Sequence, residues 1–295
     1  MATRGFPILF ITATRIGDAV LASGLIKKLS DEIENARFTI AAGPPAAPLF
    51  ADMPNLDEVV VMEKQRWGMH WLKLYQSARK RRWGLVVDMR GSALARFIDA
   101  RRRVVKHKLP GAEPVHKVIE AARLLKVEDD PPDPFLFVSE DREDEAARLM
   151  AGKGPILAMG PAANWVGKTW PAERYARAAI ELLGPNGPLP DGRLALFGGP
   201  EDRQNLEEVR RALSFDRTID LVGRVDLLTA HACLKHARMF IGNDSGLMHL
   251  AAAAGTPTIG LFGPSDERLY APWGKNTVVV RGPREFEQFK ALDPN

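Results

Sequence analysis

The segment with the clearest capacity for chemistry is a polar loop between an apolar strand and an apolar helix. Asn243-Asp244-Ser245-Gly246 follows a strand-like run over 239–242, and the pattern predicts a helix over 246–254. Such a helix would offer unpaired N–H groups at Ser245, Gly246 and Leu247, and the positive end of its dipole favours a diphosphate. Gly246 would let a ligand approach the backbone closely. The alternative is an ordinary capped helix, because Asp and Ser are common N-caps.

Two further side chains could act on a ligand. His249 lies three residues into the predicted helix, where histidine is more often a packing residue than a ligand contact. Asp18 follows Gly17 at the start of a helix predicted over 18–30, and its residue type favours an N-cap. An outward-facing carboxylate at this position could also accept the proton of a hydroxyl group. The two roles of Asp18 are compatible.

Basic residues are concentrated in the first half of the chain. The stretch from Lys64 to Lys108 holds fourteen Lys or Arg residues and two acids, Asp88 and Asp99, although the net charge of the chain is only +4. A charge run is usually a solvated face. This one could also attract a polyanion such as nucleic acid, anionic lipid or a phosphorylated glycolipid. No nucleic-acid-binding motif accompanies the stretch, which argues against nucleic acid.

Short apolar strands alternate with amphipathic helices through most of the sequence, which predicts an α/β protein with two doubly wound parallel sheets. In the first half the pattern includes a helix over 92–101, and a short strand over 135–138 follows a proline-rich break. We place the domain boundary between residues 152 and 153, giving domains 1–152 and 153–295. Ligands of such sheets bind at the carboxyl ends of the strands, so a cleft between two domains is the expected site.

Several functional classes are excluded by composition and motifs. With 45% hydrophobic and 26% charged residues, the chain is typical of a globular protein. It has no apolar run of the ~20 residues that span a bilayer and no signal-peptide pattern, so we expect a cytoplasmic protein. Cys233 is the single cysteine, and no Cys/His cluster has metal-ligand spacing. Gly167-Lys168-Thr169 is not a P-loop, because Ala162 occupies the position of its first glycine.

Four motifs in order carry a family resemblance that covers nearly the whole chain. They are Ile8–Leu21 (ILFITATRIGDAVL), Val87–Ser92 (VDMRGS), Gly167–Pro171 (GKTWP) and Asn243–His249 (NDSGLMH), the last followed by an alanine-rich helix, Gly-Thr-Pro and Phe-Gly-Pro. Together they resemble glycosyltransferase family 9, whose best-known members are the heptosyltransferases of lipopolysaccharide core synthesis. The resemblance implies the GT-B architecture, in which two Rossmann-like domains face a central cleft.

The implied reaction is inverting and metal-independent transfer of a sugar from a nucleotide diphosphate sugar, with ADP-heptose as the expected donor, to an anionic glycolipid acceptor. No cofactor or metal is implied beyond the nucleotide sugar. Two alternatives remain: a sugar-nucleotide 2-epimerase of the same fold, and a non-catalytic protein that binds nucleotide sugars. The resemblance also implies a cytoplasmic enzyme that contacts the inner-membrane surface peripherally.

Each predicted role is carried over to a matching position of this sequence. Asp18 matches the catalytic aspartate of the family, and Lys168 matches the lysine that contacts the donor phosphates. The complete donor-binding set is Asn164, Lys168, Asp202, Asp244, Ser245, Gly246, Leu247 and His249. The acceptor-binding set in the first domain is Arg15, Gly17, Arg66 and Arg90.

Overall fold

The chain divides into two compact units, residues 1–137 and 138–295, in a computed structural model that describes residues 5–107 and 113–283 together with Phe286 and Gln288. The division precedes the boundary placed at 152/153 because helix α4 (Glu140–Met150) belongs to the second unit. There α4 packs on α7 (Leu227–Lys235), with an ion pair between Glu143 and Lys235. Lys108, the last basic residue of the charged stretch, lies outside the described residues.

The first unit is built on a five-stranded parallel sheet with the order β3-β2-β1-β4-β5. Its strands are β1 (Phe6–Ile11), β2 (Ala36–Ala42), β3 (Leu56–Val61), β4 (Trp83–Asp88) and β5 (Ala100–Val105). Its helices are α1 (Ile16–Glu32), α2 (Met69–Ala78) and α3 (Lys117–Ala122). The chain builds β1 to β3 in one direction and then returns to the other side of β1. The topological switch point therefore lies between β1 and β4.

The second unit has a six-stranded parallel sheet with the order β11-β10-β9-β6-β7-β8. Its strands are β6 (Ile156–Gly160), β7 (Arg193–Leu196), β8 (Thr218–Asp220), β9 (Met239–Asn243), β10 (Thr258–Phe262) and β11 (Thr277–Arg281). Its other helices are α5 (Ala172–Leu183), α6 (Glu207–Arg210), α8 (Gly246–Ala253) and α9 (Glu267–Tyr270). By the same reasoning, its switch point lies between β6 and β9. The two predicted doubly wound parallel sheets are confirmed.

Helical periodicity explains how the layers pack. Leu21, Leu25 and Leu29 recur every four residues along α1, and all three are buried. Such an apolar stripe packs against a sheet. The central strand β1 is buried on both faces over Ile8–Ile11, as expected for a parallel strand covered by helices. Gly255, with φ +77°, follows the end of α8 in the left-handed conformation that glycine favours.

Two predicted elements of the first unit are wrong. The helix expected over 92–101 is a single 3-10 turn, Ala93–Arg96, and the chain then enters β5. The strand was missed because three consecutive arginines replace the apolar pattern expected of a buried strand: Arg101, Arg102 and Arg103. They are exposed because β5 lies at the edge of the sheet. The strand expected over 135–138 is extended chain outside both sheets. No helix in the described ranges is long and apolar enough to cross a membrane.

Candidate functional site

The switch point of the second sheet brings together two of the motifs found in the sequence. The loop after β6 carries Lys168, and the loop after β9 carries Asp244 and Ser245. Gly160 and Gly242, near the carboxyl ends of these strands, are paired in register. Crevices at such switch points are where open α/β sheets bind their ligands. The position of the two loops follows from strand order, because the chain leaves β6 and β9 on opposite sides of one gap.

An ion pair joins the two loops. Lys168 Nζ lies 2.5 Å from Asp244 Oδ2. The Asp244 side chain is only 6% exposed, whereas the Lys168 side chain is 27% exposed. A buried carboxylate needs a charged partner, and Lys168 supplies it from the solvent side. The ammonium group is therefore held at the carboxyl end of the sheet.

Asn243 fixes the positions of the same loops. Its Oδ1 accepts hydrogen bonds from the backbone N–H of Trp170 at 3.0 Å and from the hydroxyl of Tyr175 at 2.9 Å. Its Nδ2 donates to the carbonyl oxygen of Pro161 at 2.6 Å. Asn243 and Tyr175 are fully buried, and burial raises the pKa of the Tyr175 hydroxyl. Asn243 thus ties β9 to both ends of the loop that carries Lys168.

The N-terminus of α8 has no side-chain cap. Ser245 occupies the N-cap position with extended backbone angles, but its side chain makes no capping hydrogen bond. Its Oγ is shielded from solvent and has no hydrogen-bond partner among the described residues. The first N–H groups of a helix have no intrahelical acceptors, and no side chain in the described part of the chain is seen to accept from them. Ser245, Gly246 and Leu247 therefore lie at a helix N-terminus, and their role in anion binding stays a prediction.

The three remaining residues of the predicted donor-binding set differ from one another in their surroundings. His249 is buried on α8, with Nε2 4.0 Å from Asp244 Oδ1. Asn164 is exposed in the loop after β6. Asp202 accepts a hydrogen bond from the N–H of Gly199 at 2.8 Å. Burial raises the pKa of the Asp202 carboxyl, and this hydrogen bond partly opposes the effect. Neither Asn164 nor Asp202 forms a hydrogen bond or ion pair with the Lys168–Asp244 pair in the described part of the chain.

In the first unit, Asp18 lies in the first turn of α1 and is partly buried. The N-cap is Arg15, so the N-cap role that residue type alone favoured for Asp18 is wrong: the helix begins two residues earlier, at Ile16. A carboxylate in the first turn is stabilised by the helix dipole. Arg15 is exposed and Gly17 is partly buried. The structure therefore keeps Arg15, Gly17 and Asp18 together after β1.

The loop after β4 lies on the other side of this switch point and carries Arg90. Asp88 is fully buried and organises the loop: its Oδ1 accepts the N–H of Arg90 at 2.8 Å, and its Oδ2 accepts the N–H of Ser92 at 2.9 Å. Ser92 Oγ donates to the same Oδ2 at 2.5 Å. The Arg90 guanidinium lies 4.6 Å from the centre of the Trp71 ring. Desolvation lowers the pKa of Arg90, and the charge of Asp88 opposes this effect.

Arg66 has a different setting from Arg90. It opens a 3-10 turn, Arg66–Gly68, and is exposed. Its guanidinium makes no hydrogen bond or ion pair with the residues that the structure describes. Trp67, the next residue, is 94% exposed with φ +59°. Within the acceptor set, Arg90 lies on a concave surface of the first unit.

Comparisons with known proteins decide the family. The model of glycosyltransferase family 9 (heptosyltransferase) matches residues 59–295. The chain belongs to this family. It is 25% identical to lipooligosaccharide heptosyltransferase 2 of Haemophilus influenzae, over 93% of this chain and 88% of that protein. Membership of the heptosyltransferase family makes the chain a glycosyltransferase, and the predicted enzyme class is confirmed.

Solved structures show the same fold. The ADP-heptose lps heptosyltransferase II of E. coli aligns with a TM-score of 0.76 and 23% identity, covering 95% of this chain and 92% of that one. The E. coli heptosyltransferase WaaC with ADP aligns with a TM-score of 0.73 and 19% identity, covering 98% of each chain. The predicted GT-B fold class is therefore confirmed for this heptosyltransferase-family chain.

Sequence analysis did not predict site roles for Asn243 and Asp88, although both organise the loops at these sites. Asn243 was noted only as part of a motif, and Asp88 only as part of another. Both follow the same rule, because each is a polar residue at the last position of a buried parallel strand. That position is a usable signal, since a polar side chain there reaches the loops at the carboxyl edge of the sheet.

Proposed function

We propose that this heptosyltransferase-family chain transfers heptose from ADP-heptose to an anionic acceptor of the lipopolysaccharide core type, with inversion at the anomeric carbon and without a metal ion. The observation that carries the proposal is the Lys168–Asp244 pair beside the uncapped N-terminus of α8. These groups can bind a diphosphate and neutralise the charge that develops on it when it leaves. The proposed reaction needs no cofactor besides the nucleotide sugar.

On the donor side, the N–H groups at Ser245, Gly246 and Leu247 would bind the diphosphate oxygens. Lys168 would contact the same group as a point charge. Groups fixed in advance at the place where negative charge grows stabilise the transition state more than the ground state. Asp244 cannot itself attract a phosphate, so its carboxylate would hold Lys168 in place and accept a hydrogen bond from a sugar hydroxyl.

On the acceptor side, Asp18 would act as general base. Its carboxylate would take the proton of the acceptor hydroxyl while the hydroxyl oxygen forms a bond to the anomeric carbon. The bond between that carbon and the diphosphate oxygen breaks, and ADP leaves with the electron pair. Attack from the face opposite the leaving group inverts the anomeric configuration.

The basic surface of the first unit supports an anionic acceptor. Arg15, Arg66 and Arg90 would pair with its carboxylates or phosphates, as guanidinium groups suit both. The Lys64–Lys108 stretch would add long-range attraction and contact with the cytoplasmic face of the inner membrane, where anionic lipids attract basic surfaces. Two findings support the choice of substrates: relatives are named lipooligosaccharide or lipopolysaccharide heptosyltransferase, and the solved structure of E. coli heptosyltransferase WaaC contains ADP.

Family membership favours this transferase over both alternatives, the 2-epimerase and the non-catalytic protein. The discriminating experiment compares Asp18→Asn with Asp31→Asn, an exposed aspartate at the far end of the same helix. ADP release would be measured with ADP-heptose and a heptose-deficient core acceptor. We expect Asp18→Asn to lose turnover by about a hundredfold or more with ADP affinity retained. Full activity of Asp18→Asn would contradict the role of the base, and an inactive wild-type chain would contradict the transferase.

A further inference from the structure

The first unit has an open groove whose apolar walls have no role in the proposed chemistry. It lies between α2 and the 3-10 turn Ala93–Arg96 and has a volume of about 750 Å³. This is within the range of about 300–1,000 Å³ that small-molecule sites occupy. We call it the α2 groove. Its apolar walls are formed by Trp71, Leu72, Tyr75, Leu94 and Phe97.

The walls of the α2 groove extend beyond the core. Trp71, Tyr75 and Leu94 pack against the buried core cluster of the first unit. Leu72 also lines the groove but remains 44% exposed. Across the groove, Phe97 is 70% exposed. Single exposed apolar residues are common, but several that line one concave surface mark an interaction site.

Arg90 lies in the lining of the groove and is its only charged member among the residues that the structure describes. Its guanidinium lies 4.6 Å from the centre of the Trp71 ring. The guanidinium makes no hydrogen bond or ion pair with the described residues, because the Asp88 carboxylate is already engaged by backbone N–H groups and by Ser92. Its donors can therefore pair with an anion, while stacking on the ring keeps it oriented.

The chemistry of the walls selects the occupant. A peptide segment would bury its backbone N–H and C=O groups against apolar walls that offer few partners, at a cost for each unmatched group. A sugar would meet the same difficulty. A hydrocarbon chain has no polar groups to satisfy, and an anionic group at its end would match the single arginine.

We propose that the α2 groove binds one acyl chain of the glycolipid acceptor and that Arg90 pairs with an anionic group near the attachment point of that chain. This inference rests on the proposed function, because it assumes a lipid-linked acceptor. The groove would recognise the acceptor through its lipid part. The enzyme would then select acylated acceptors over the same sugars without their chains.

The first test needs no turnover. Calorimetry would measure the binding of octyl, nonyl and decyl phosphate below their micelle concentrations, with inorganic phosphate and decyl maltoside as references. Burial of each methylene should tighten binding roughly fourfold. Phe97→Ser should weaken decyl phosphate binding about tenfold. The matched control is Phe215→Ser, a phenylalanine 92% exposed in the second unit, which should leave binding unchanged.

Arg90→Gln should abolish the preference for decyl phosphate over decyl maltoside and leave the dependence on chain length in place. Three outcomes would overturn the proposal: binding that does not depend on chain length, equal effects of Phe97→Ser and Phe215→Ser, or binding to anionic vesicles without binding to monomeric alkyl phosphate.

The second test uses the reaction. Phe97→Ser should raise KM for an acylated acceptor about tenfold and leave KM for the deacylated acceptor and kcat unchanged. Equal KM values for both acceptors in the wild-type enzyme would contradict the inference but leave the transferase intact. If neither acceptor is glycosylated, the proposed function fails, and the alkyl phosphate titration still decides whether the groove binds an anionic chain.

Discussion

Lys168 Nζ and Asp244 Oδ2 lie 2.5 Å apart at the switch point of the second sheet, although 76 positions separate the two residues in the sequence. Asp244 is buried, so in the absence of Lys168 its carboxylate would carry an uncompensated charge. The same ammonium group is the one proposed to meet the diphosphate. Under the proposed function, Lys168 would serve both the folded state and the ligand, and it would shield an incoming diphosphate from the Asp244 charge.

Replacement of this lysine should impair catalysis as well as stability, because the buried Asp244 carboxylate loses its charged partner. We expect Lys168→Ala to lower kcat/KM by about 10²–10³-fold, because a preorganised charge beside the leaving diphosphate is lost. Lys153→Ala provides the control, since Lys153 is an exposed lysine of the same unit. Steady-state kinetics with varied nucleotide sugar would measure the effect. A change of less than threefold in Lys168→Ala would show that the lysine does not act on the diphosphate.

Asn243 should be important for stability. Asn243→Ala would leave the Trp170 N–H, the Tyr175 hydroxyl and the Pro161 carbonyl without their partner, and we expect a loss of about 2–4 kcal/mol in the free energy of unfolding. Tyr175→Phe removes only one of these bonds, so its expected cost is about 1 kcal/mol. Urea unfolding of both variants checks the order. Equal losses would mean that Asn243 does not anchor the three segments.

A buried histidine beneath α8 should make stability depend on pH. Burial is the main cause that lowers the pKa of His231 from 6.5 to about 4, and the charge of Lys235 adds to it; the hydrogen bond to the Leu250 carbonyl and the charge of Glu143 act in the opposite direction. Between pH 4 and 6.5 the unfolded chain therefore binds a proton that the folded chain does not. Stability from this group is present above pH 6.5 and falls as pH decreases towards 4, by up to about 3 kcal/mol.

The measurement compares how the free energy of unfolding changes between pH 6.5 and 4. His231→Asn can keep a donor for the Leu250 carbonyl without titrating, so its stability should fall less steeply than that of the wild type over this range. His236→Asn, at an exposed histidine one residue beyond the same helix, should follow the wild type. Parallel curves for all three proteins would contradict the assignment to His231.

Gly24 should not tolerate a side chain. A Cβ at this position of α1 would lie 2.5 Å from the Pro132 carbonyl oxygen and closer still to that of Asp133. Although alanine favours a helix over glycine by about 1 kcal/mol, overpacking against backbone costs about 1–3 kcal/mol. We expect Gly24→Ala to destabilise the first unit by up to about 2 kcal/mol. A raised unfolding midpoint would show that the chain over 132–133 moves away freely.

Gly24 also illustrates the limit of sequence-based prediction. The helix around it could be predicted, because apolar residues recur every four positions. The close approach of the Pro132 and Asp133 carbonyl groups to Gly24 could not be predicted, because it requires the segment 132–135 to fold back onto α1. The adjoining segment 135–138 was predicted as a strand, but the N–H of Phe135 instead donates to Ser23 Oγ, 112 positions away. Local periodicity gives the elements, and contacts between distant segments decide the exceptions.

The candidate site was predictable to a similar degree. The loop of Ser245 and Gly246 was identified from strand, turn and helix signals that lie next to one another. Lys168 and Asp244 were each predicted to bind the sugar donor. Their ion pair with each other could not be predicted, because it depends on the strand order that places their loops side by side. The start of α1 two residues before Asp18 depends on the backbone of Arg15, whose side chain does not cap. Residue type alone favours the aspartate there.

The central claim is that the N-terminus of α8 and Lys168 together bind a diphosphate. Calorimetric titration of the wild-type protein with ADP and with AMP tests it most directly, because the two ligands differ only in the β-phosphate. Charged hydrogen bonds of about 1.5–3 kcal/mol predict that ADP binds at least about tenfold more tightly than AMP. Equal affinities for ADP and AMP would contradict the account.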